Sequence, residues 1–406
     1  MTDTATDTSR RTANALPLAL ALMAGPAVAL GLARFAYALV LPDMRADLHW
    51  SFAVAGALNT ANALGYLVGA LVTVPIAARV GERWAFAGGL IVTIAALFGS
   101  AVTGEVGVLL VTRLLAGASG AVVFVVGGGL VARLGFGRST RTSTMLLGVY
   151  FAGPGAGIVA SGLLVPAALT TGSWRWAWLA LGALGVLALA VAVPAAWRVP
   201  EVRPARGRGG GRWPVRPLAW LLVAYTLFGA GYIAYMTFIV AYLQRHGAGG
   251  TEITVFWAVL GLMSVAAGFL WGHVLGRMPI GAGMAMILLI LTVGAALPLV
   301  PGGLAPVYAS AVVFGGTFLT VVTATTAAVR RTLEQRHWTP AIAGMTVAFA
   351  LGQCVGPVLA GALSDRAGGV RTGLLIGAGL LLLGAAAAAT HRTRRTDTGR
   401  GLGSPG

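Results

Sequence analysis

The sequence predicts an all-α integral membrane protein, with twelve transmembrane helices in two pseudo-symmetric six-helix bundles. Three observations point there. Apolar runs of about 20 residues, the length a helix needs to cross the hydrocarbon layer, occur twelve times along the chain. One long basic loop separates six runs from six, and residues recur at a constant offset across it. Composition agrees: of 406 residues, 57% are hydrophobic and 10% charged, with a mean hydropathy of +0.86. A soluble domain carries roughly 25% charged residues.

The runs of the first half are Leu16 to Leu41, Phe52 to Ala78, Trp84 to Val102, Val106 to Ala132, Ser143 to Ala167 and Trp176 to Trp197. Those of the second half are Leu218 to Leu243, Ile253 to Leu275, Ile280 to Val300, Leu304 to Val329, Ala341 to Leu363 and Thr372 to Thr390. The first run follows Arg10 and Arg11, as a secretory signal would. Its apolar stretch from Leu16 to Ala33 exceeds the roughly 7 to 15 residues of a signal core, so it reads as a retained helix. The expected domains are therefore residues 15–197 and 218–390, joined by a basic cytoplasmic linker over 198–217. That linker reads as a solvated tether, with anionic-lipid docking as the sharper alternative. The tails, 1–14 and 391–406, are polar and read as disordered.

All 28 basic residues are Arg, against 11 acidic ones, for a formal net charge of +17. Placement gives that charge its meaning. On the side of the termini lie 21 Arg; five (Arg45, Arg175, Arg245, Arg366, Arg371) lie opposite, and Arg34 and Arg113 fall inside runs. Basic residues near helix ends are held on the cytoplasmic side, so both termini are expected inside. No Arg cluster is interleaved with exposed aromatics, which speaks against a nucleic-acid partner. The single cysteine, Cys354, offers no disulfide, metal cluster or redox pair. With no His cluster, paired carboxylates or nucleophile elbow, the chain is expected to be neither an enzyme nor a holder of metal or cofactor.

Several residues recur at an offset of 198: Gly31 with Gly229, Tyr37 with Tyr235, Arg79 with Arg277, Gly117 with Gly315, and Arg133 with Arg331. The pair Gly153, Pro154 returns as Gly356, Pro357 at an offset of 203. Repeats of this kind mark transporters whose halves rock about a central site.

Several motifs resemble those of the major facilitator superfamily. RLLAGASG at Arg113 to Gly120 resembles its fourth-helix motif, and GPGAG at Gly153 to Gly157 resembles the fifth-helix GPxxG motif of its antiporters, with Ile158 where a second Gly often stands. VPIAARVGER at Val74 to Arg83 matches the loop motif GxxxDRxGRR at Arg79, Gly81 and Arg83. Val74 and Ala78 replace its Gly and acid, which implies a weaker interlock of that loop. GLARFAYALVLP from Gly31, NTANALGYLVG from Asn59, GAGYIAYMTF from Gly229 and GGTF from Gly315 resemble the bacterial YbfB/YjiJ-type branch. The resemblance spans Leu16 to Thr390 and implies a twelve-helix inner-membrane transporter, with gating elements at Arg79, Gly81, Arg83, Gly153, Pro154, Gly157, Gly356 and Pro357.

The same residues can be read physically. A charge at membrane depth costs about 2.5 to 3.5 kcal/mol on insertion scales, so it faces a wet cavity or a partner. Arg34 and Arg113 lie at matching depth, roughly 10 to 12 Å from the outer boundary at 1.5 Å per residue. The resemblance puts their helices beside one cavity, so they are expected to shape one substrate pocket, or else to tie helices through carbonyls. Asn59, Asn62 and Tyr66 share one face of the second run, and Tyr232 and Tyr235 share a face of the seventh. With Tyr37 and Gln353 these complete the expected binding residues; Thr317, Thr320 and Tyr150 are weaker candidates. No carboxylate sits well inside a run, so proton coupling is expected to trace to Asp43, Glu105 or His273, or to be absent.

The expected function is a monomeric secondary transporter moving a small organic solute by alternating access, in the efflux direction that GPGAG implies. The alternatives are an uptake permease for an organic anion or sugar, and a non-transporting membrane sensor. Expected partners are the solute, membrane lipid and protons.

Overall fold

The computed structural model describes residues 15–200, 213–366 and 369–391. The expected tails, apart from His391, and residues 201–212 of the expected linker lie outside the described residues. Among those described, twelve helices are long and apolar enough to cross a membrane. They are α1 Ala15–Asp47, α2 Phe52–Val80, α3 Glu82–Val102, α4 Val106–Leu134, α5 Arg141–Thr171 and α6 Trp174–Arg198. The second half supplies α7 Arg216–Arg245, α8 Gly250–Gly268, α9 Ile280–Leu299, α10 Leu304–Thr332, α11 Pro340–Arg366 and α12 Val370–Ala389. The described chain ends and the α6–α7 junction lie at one end of the bundle, the terminal end. The α1–α2, α7–α8 and α11–α12 turns lie at the other, the distal end.

The helices overrun their apolar stretches into polar sequence. α6 runs on to Arg198 and α7 starts at Arg216, which shortens the expected linker from both sides. α1 passes Pro42 and ends at Asp47, and its middle, Ala27–Phe35, is wound as a π-helix. The expected continuous helix to Leu275 is corrected. α8 gives way at Trp271, whose indole N–H donates to the Gly316 carbonyl of α10 at 2.6 Å, and a separate short helix, Gly272–Arg277, follows.

Side-chain placement inverts that of a soluble protein. Large apolar residues such as Leu71, Ile91, Leu163, Leu187, Leu262 and Leu383 face outward, while Asn59, Asn62, Gln353, Arg34 and Arg113 are buried. Exposed Trp84, Trp220 and Trp176 sit near helix ends, where indoles mark a membrane interface.

The repeat is visible as geometry. A Cβ on Gly31 would lie 2.4 Å from Gly157 Cα of α5, and one on its mate Gly229 would lie 2.4 Å from the Phe349 carbonyl oxygen of α11. A Cβ on Gly117 would meet the Asn62 carbonyl oxygen of α2 at 2.0 Å, and one on Gly315 would meet that of Leu260 in α8 at 2.4 Å. Arg133 ion-pairs with Glu82 at the α2–α3 turn; Arg331 donates to the Leu275 and Met278 carbonyls at the α8–α9 turn. The glycine mates thus make equivalent close crossings in the two bundles, and the arginine mates hold equivalent turns through different partners.

The described hydrogen bonds between the bundles lie in their distal halves. Phe52 and Ala53 donate to Asp365, Asn59 to Thr237, Thr60 to the Cys354 carbonyl, and Trp257 to Ser161. The distal end is therefore closed by α2 against α11 and α5 against α8.

Candidate functional site at the bundle interface

Arg34 is placed by local backbone geometry. The π-helical stretch puts an extra residue into the turn, and such insertions re-aim side chains at functional sites. α5 crosses this stretch closely, since Cβ atoms on Gly153 and Gly157 would lie 2.5 and 2.3 Å from the Met23 and Ala27 carbonyl oxygens. The GPGAG stretch therefore seats α1, and Gly356 seats α7 in the same way, its Cβ position being 2.2 Å from the Ala230 carbonyl oxygen. Pro357 serves the interface, its carbonyl meeting Gly56 of α2.

Arg34 is 3% exposed and its guanidinium lies over the Tyr66 ring, 5.4 Å from the centroid. Its Nε and Nη2 have no hydrogen-bond partner. Its charge acts on Tyr66 of α2, Tyr232 of α7 and Cys354 of α11, so it stands between the bundles. Tyr232 accepts a 2.5 Å hydrogen bond from Gln353 Nε2, which leaves Gln353 Oε1 buried and without a partner. Phe318 (6.1 Å) and Phe349 (5.7 Å) stack on Tyr232, and Phe35 meets Phe318 edge-on across the interface.

The structure gives Arg34 and Arg113 different surroundings, although each keeps Nε and Nη2 unpartnered. Arg113, 1% exposed, donates through Nη1 to the Ala33 carbonyl at 2.6 Å and lies over the rings of Tyr37 and Trp178 at 4.9 and 5.4 Å. It ties α4 to α1 and α6. Tyr37 belongs to the same tie, its hydroxyl donating to the Ala55 carbonyl at 2.9 Å, and Asn62 donates to the Arg113 carbonyl at 3.1 Å. Asn59 reaches across to Thr237 of α7 at 2.5 Å, its Oδ1 unpartnered. Tyr235 stays inside its own bundle, bonded to Ser310 and stacked on Phe314 at 4.0 Å. Tyr150 donates to the Val123 and Phe124 carbonyls, and Thr317 is spent on its own helix, whereas Thr320 Oγ1 is buried without a partner.

Of the coupling candidates, Glu105 is exposed at the start of α4, and His273 is exposed on the short helix after α8. Asp43 is half-buried at the distal end, hydrogen-bonded to Gln244 of α7, with Oδ2 unpartnered. At the terminal end Arg79 is exposed and Gly81 turns the chain at φ 89°, which favours glycine. Arg83 donates to the Val199 carbonyl at 2.6 Å, and Glu82 pairs with Arg133. The α2–α3 turn that follows Ala78 is thus tied to α4 by Glu82.

Two clefts lie elsewhere. One of about 240 Å³ at the terminal end is lined by Met284, Thr323 and Arg331, and one of about 230 Å³ at the distal end by Pro42, Arg45 and Gln244. Arg34 lines neither of them. Thr237, Phe318, Phe349, Trp178 and Asp365 join the site and interface contacts without being expected from the sequence. Phe318 was visible within GGTF, but the aromatic stack depends on helix rotation.

Two six-helix bundles meeting around a buried, unpaired cation define a membrane transporter of the major facilitator class. A family profile described as "Uncharacterised MFS-type transporter YbfB" matches residues 26–389, and the chain belongs to that family. Among solved structures, a point variant of the nucleoside transporter NupG superposes with a TM-score of 0.74 at 16% identity, covering 93% of this chain and 100% of that one. A bacterial homologue of the human lysosomal transporter Spinster, inward-facing and unoccupied, superposes at 0.69 and 17% identity, covering 93% and 96%. At such identities these two share the fold. No curated protein sequence matches the chain significantly.

Proposed function

We propose that the chain is a secondary active transporter that exports a small organic solute across the bacterial inner membrane by alternating access, with both termini in the cytoplasm. The observation that carries this reading is Arg34, buried between the bundles with two donors unpartnered while the described cross-bundle hydrogen bonds stay in the distal halves. A charge kept at membrane depth at a cost of about 2.5 to 3.5 kcal/mol belongs to a solute or ion pathway. Rocking about the closed distal end would open Arg34 to the terminal side, which the Arg distribution assigns to the cytoplasm. The GPGAG resemblance supports the export direction.

A thermal-shift screen of the purified protein against anions, sugars, hydrophobic drugs and uridine, followed by transport of each hit in proteoliposomes, tests this reading. Saturable movement of a stabilising solute is the expected result; hits that bind but are never moved would favour a sensor. Uptake of an organic anion is the second reading, supported by the same free guanidinium edge. Comparison of right-side-out with inverted vesicles separates the two directions.

A further inference from the structure

We infer that the Arg34 site takes a monocarboxylate with an aromatic body and a hydrogen-bond donor; this rests on the transport reading above. Charge comes first. The described ion pairs, Glu82 with Arg133, Asp47 with Arg175 and Glu334 with Arg336, leave Arg34 out, so its counter-anion has to arrive with the ligand. Its unpartnered Nε and Nη2 are the two donors of one guanidinium edge, the fork that accepts both oxygens of a carboxylate. Arg113 leaves the same two donors unpartnered, but its guanidinium is held by the Ala33 carbonyl and covered by the Tyr37 and Trp178 rings within the first bundle, so the Arg34 edge, between the bundles, is the one that takes a carboxylate.

The surroundings specify the remainder of the ligand. Tyr66 lies under the guanidinium, and Tyr232 stacks with Phe318 and Phe349, the latter at an interplanar angle of 8°. An aromatic wall of this kind suits a flat apolar ring. Gln353 spends its amide hydrogens' side on Tyr232, so its buried Oε1 lacks only a donor, which a ligand hydroxyl or N–H would supply. In the conformation described here the shell is closed over these atoms, each of them buried.

The test uses the full-length protein in detergent, with 4-hydroxybenzoate, indole-3-acetate and 3-phenyllactate each compared with its neutral amide by thermal shift and calorimetry. The carboxylates are expected to raise Tm while the amides do not. Arg34→Gln should weaken carboxylate binding about 10- to 100-fold, the loss of a hydrogen-bonded charge partner, and Arg34→Lys should restore only part of it. Gln353→Leu should erase the preference for 4-hydroxybenzoate over benzoate. Equal stabilisation by acid and amide overturns the inference, as does undiminished binding to Arg34→Gln. Should that variant not fold, the acid and amide contrast on the wild type decides. Movement of uridine with no acid preferred over its amide sinks this inference and leaves transport standing; a carboxylate bound through Arg34 but never moved does the reverse.

Discussion

The carboxylate of Asp365, at the end of α11, caps the start of α2, accepting from the backbone N–H of Phe52 at 2.8 Å and that of Ala53 at 2.9 Å. The first N–H groups of a helix have no partner within it, and Ser51 serves the third, from Val54, at 3.2 Å. One bundle thus completes a helix of the other. Arg45 of α1 and Arg245 of α7 both stand over the Phe52 ring, at 3.8 and 5.0 Å.

Loss of this cap should loosen the distal closure. Asp365→Asn removes a charged acceptor worth about 1 to 2 kcal/mol, which moves a two-state population roughly 5- to 30-fold. Spin labels at Ala46→Cys and His246→Cys, in a Cys354→Ser background, should then report a longer distance component that is minor with Asp365 present. An unchanged distribution would make the cap a local contact without a gating role.

Arg34 and Arg113 should respond oppositely to substitution. Arg34→Leu removes a buried, unpaired charge and should raise the ligand-free Tm, because an apolar residue relieves the desolvation cost. Arg113→Lys keeps the charge but loses the flat face between Tyr37 and Trp178, and should cost about 1 to 2 kcal/mol. Melting curves of the two variants side by side check the contrast; a lower Tm for Arg34→Leu would show that Arg34 holds the bundle together.

The α1–α5 crossing tolerates no side chain. Gly157→Val should prevent stable packing, since even its Cβ would sit 2.3 Å from the Ala27 carbonyl oxygen. Gly129→Ala in α4 meets nothing within 4 Å and should be neutral or stabilise by about 0.4 to 1 kcal/mol. Monodispersity after extraction distinguishes them.

Proton coupling, if carried by the expected groups, falls to Asp43, which faces Gln244 within the closure that also holds Arg45, Arg245 and Asp365. Under an imposed pH gradient, Asp43→Asn should lose proton-dependent transport while Glu105→Gln and His273→Gln keep it. Coupling that survives in Asp43→Asn places the carrier elsewhere.

Hydropathy and repeats made the twelve helices and their two-fold arrangement legible, because span length and backbone crossings leave marks in residue type and spacing. Gly31 and Gly229, or Gly117 and Gly315, are readable for that reason. That Arg34 and Arg113 fall inside spans was readable too, but their different surroundings were not. Whether a guanidinium meets the Ala33 carbonyl or the bundle interface depends on the π-helical rotation of α1, and 3.6-residue periodicity carries no trace of it. Asp365 was similarly hidden, since its partners are backbone N–H groups more than 300 positions away in sequence.

Counterflow in proteoliposomes probes Arg34 in alternating access, because exchange across a loaded vesicle requires no coupling ion. With the aromatic carboxylate that most stabilises the wild-type protein, labelled solute should accumulate transiently against unlabelled solute inside, saturably, and Arg34→Gln vesicles of equal protein content should show none. Counterflow of equal rate in Arg34→Gln, or none in the wild type, would rule out solute exchange through Arg34.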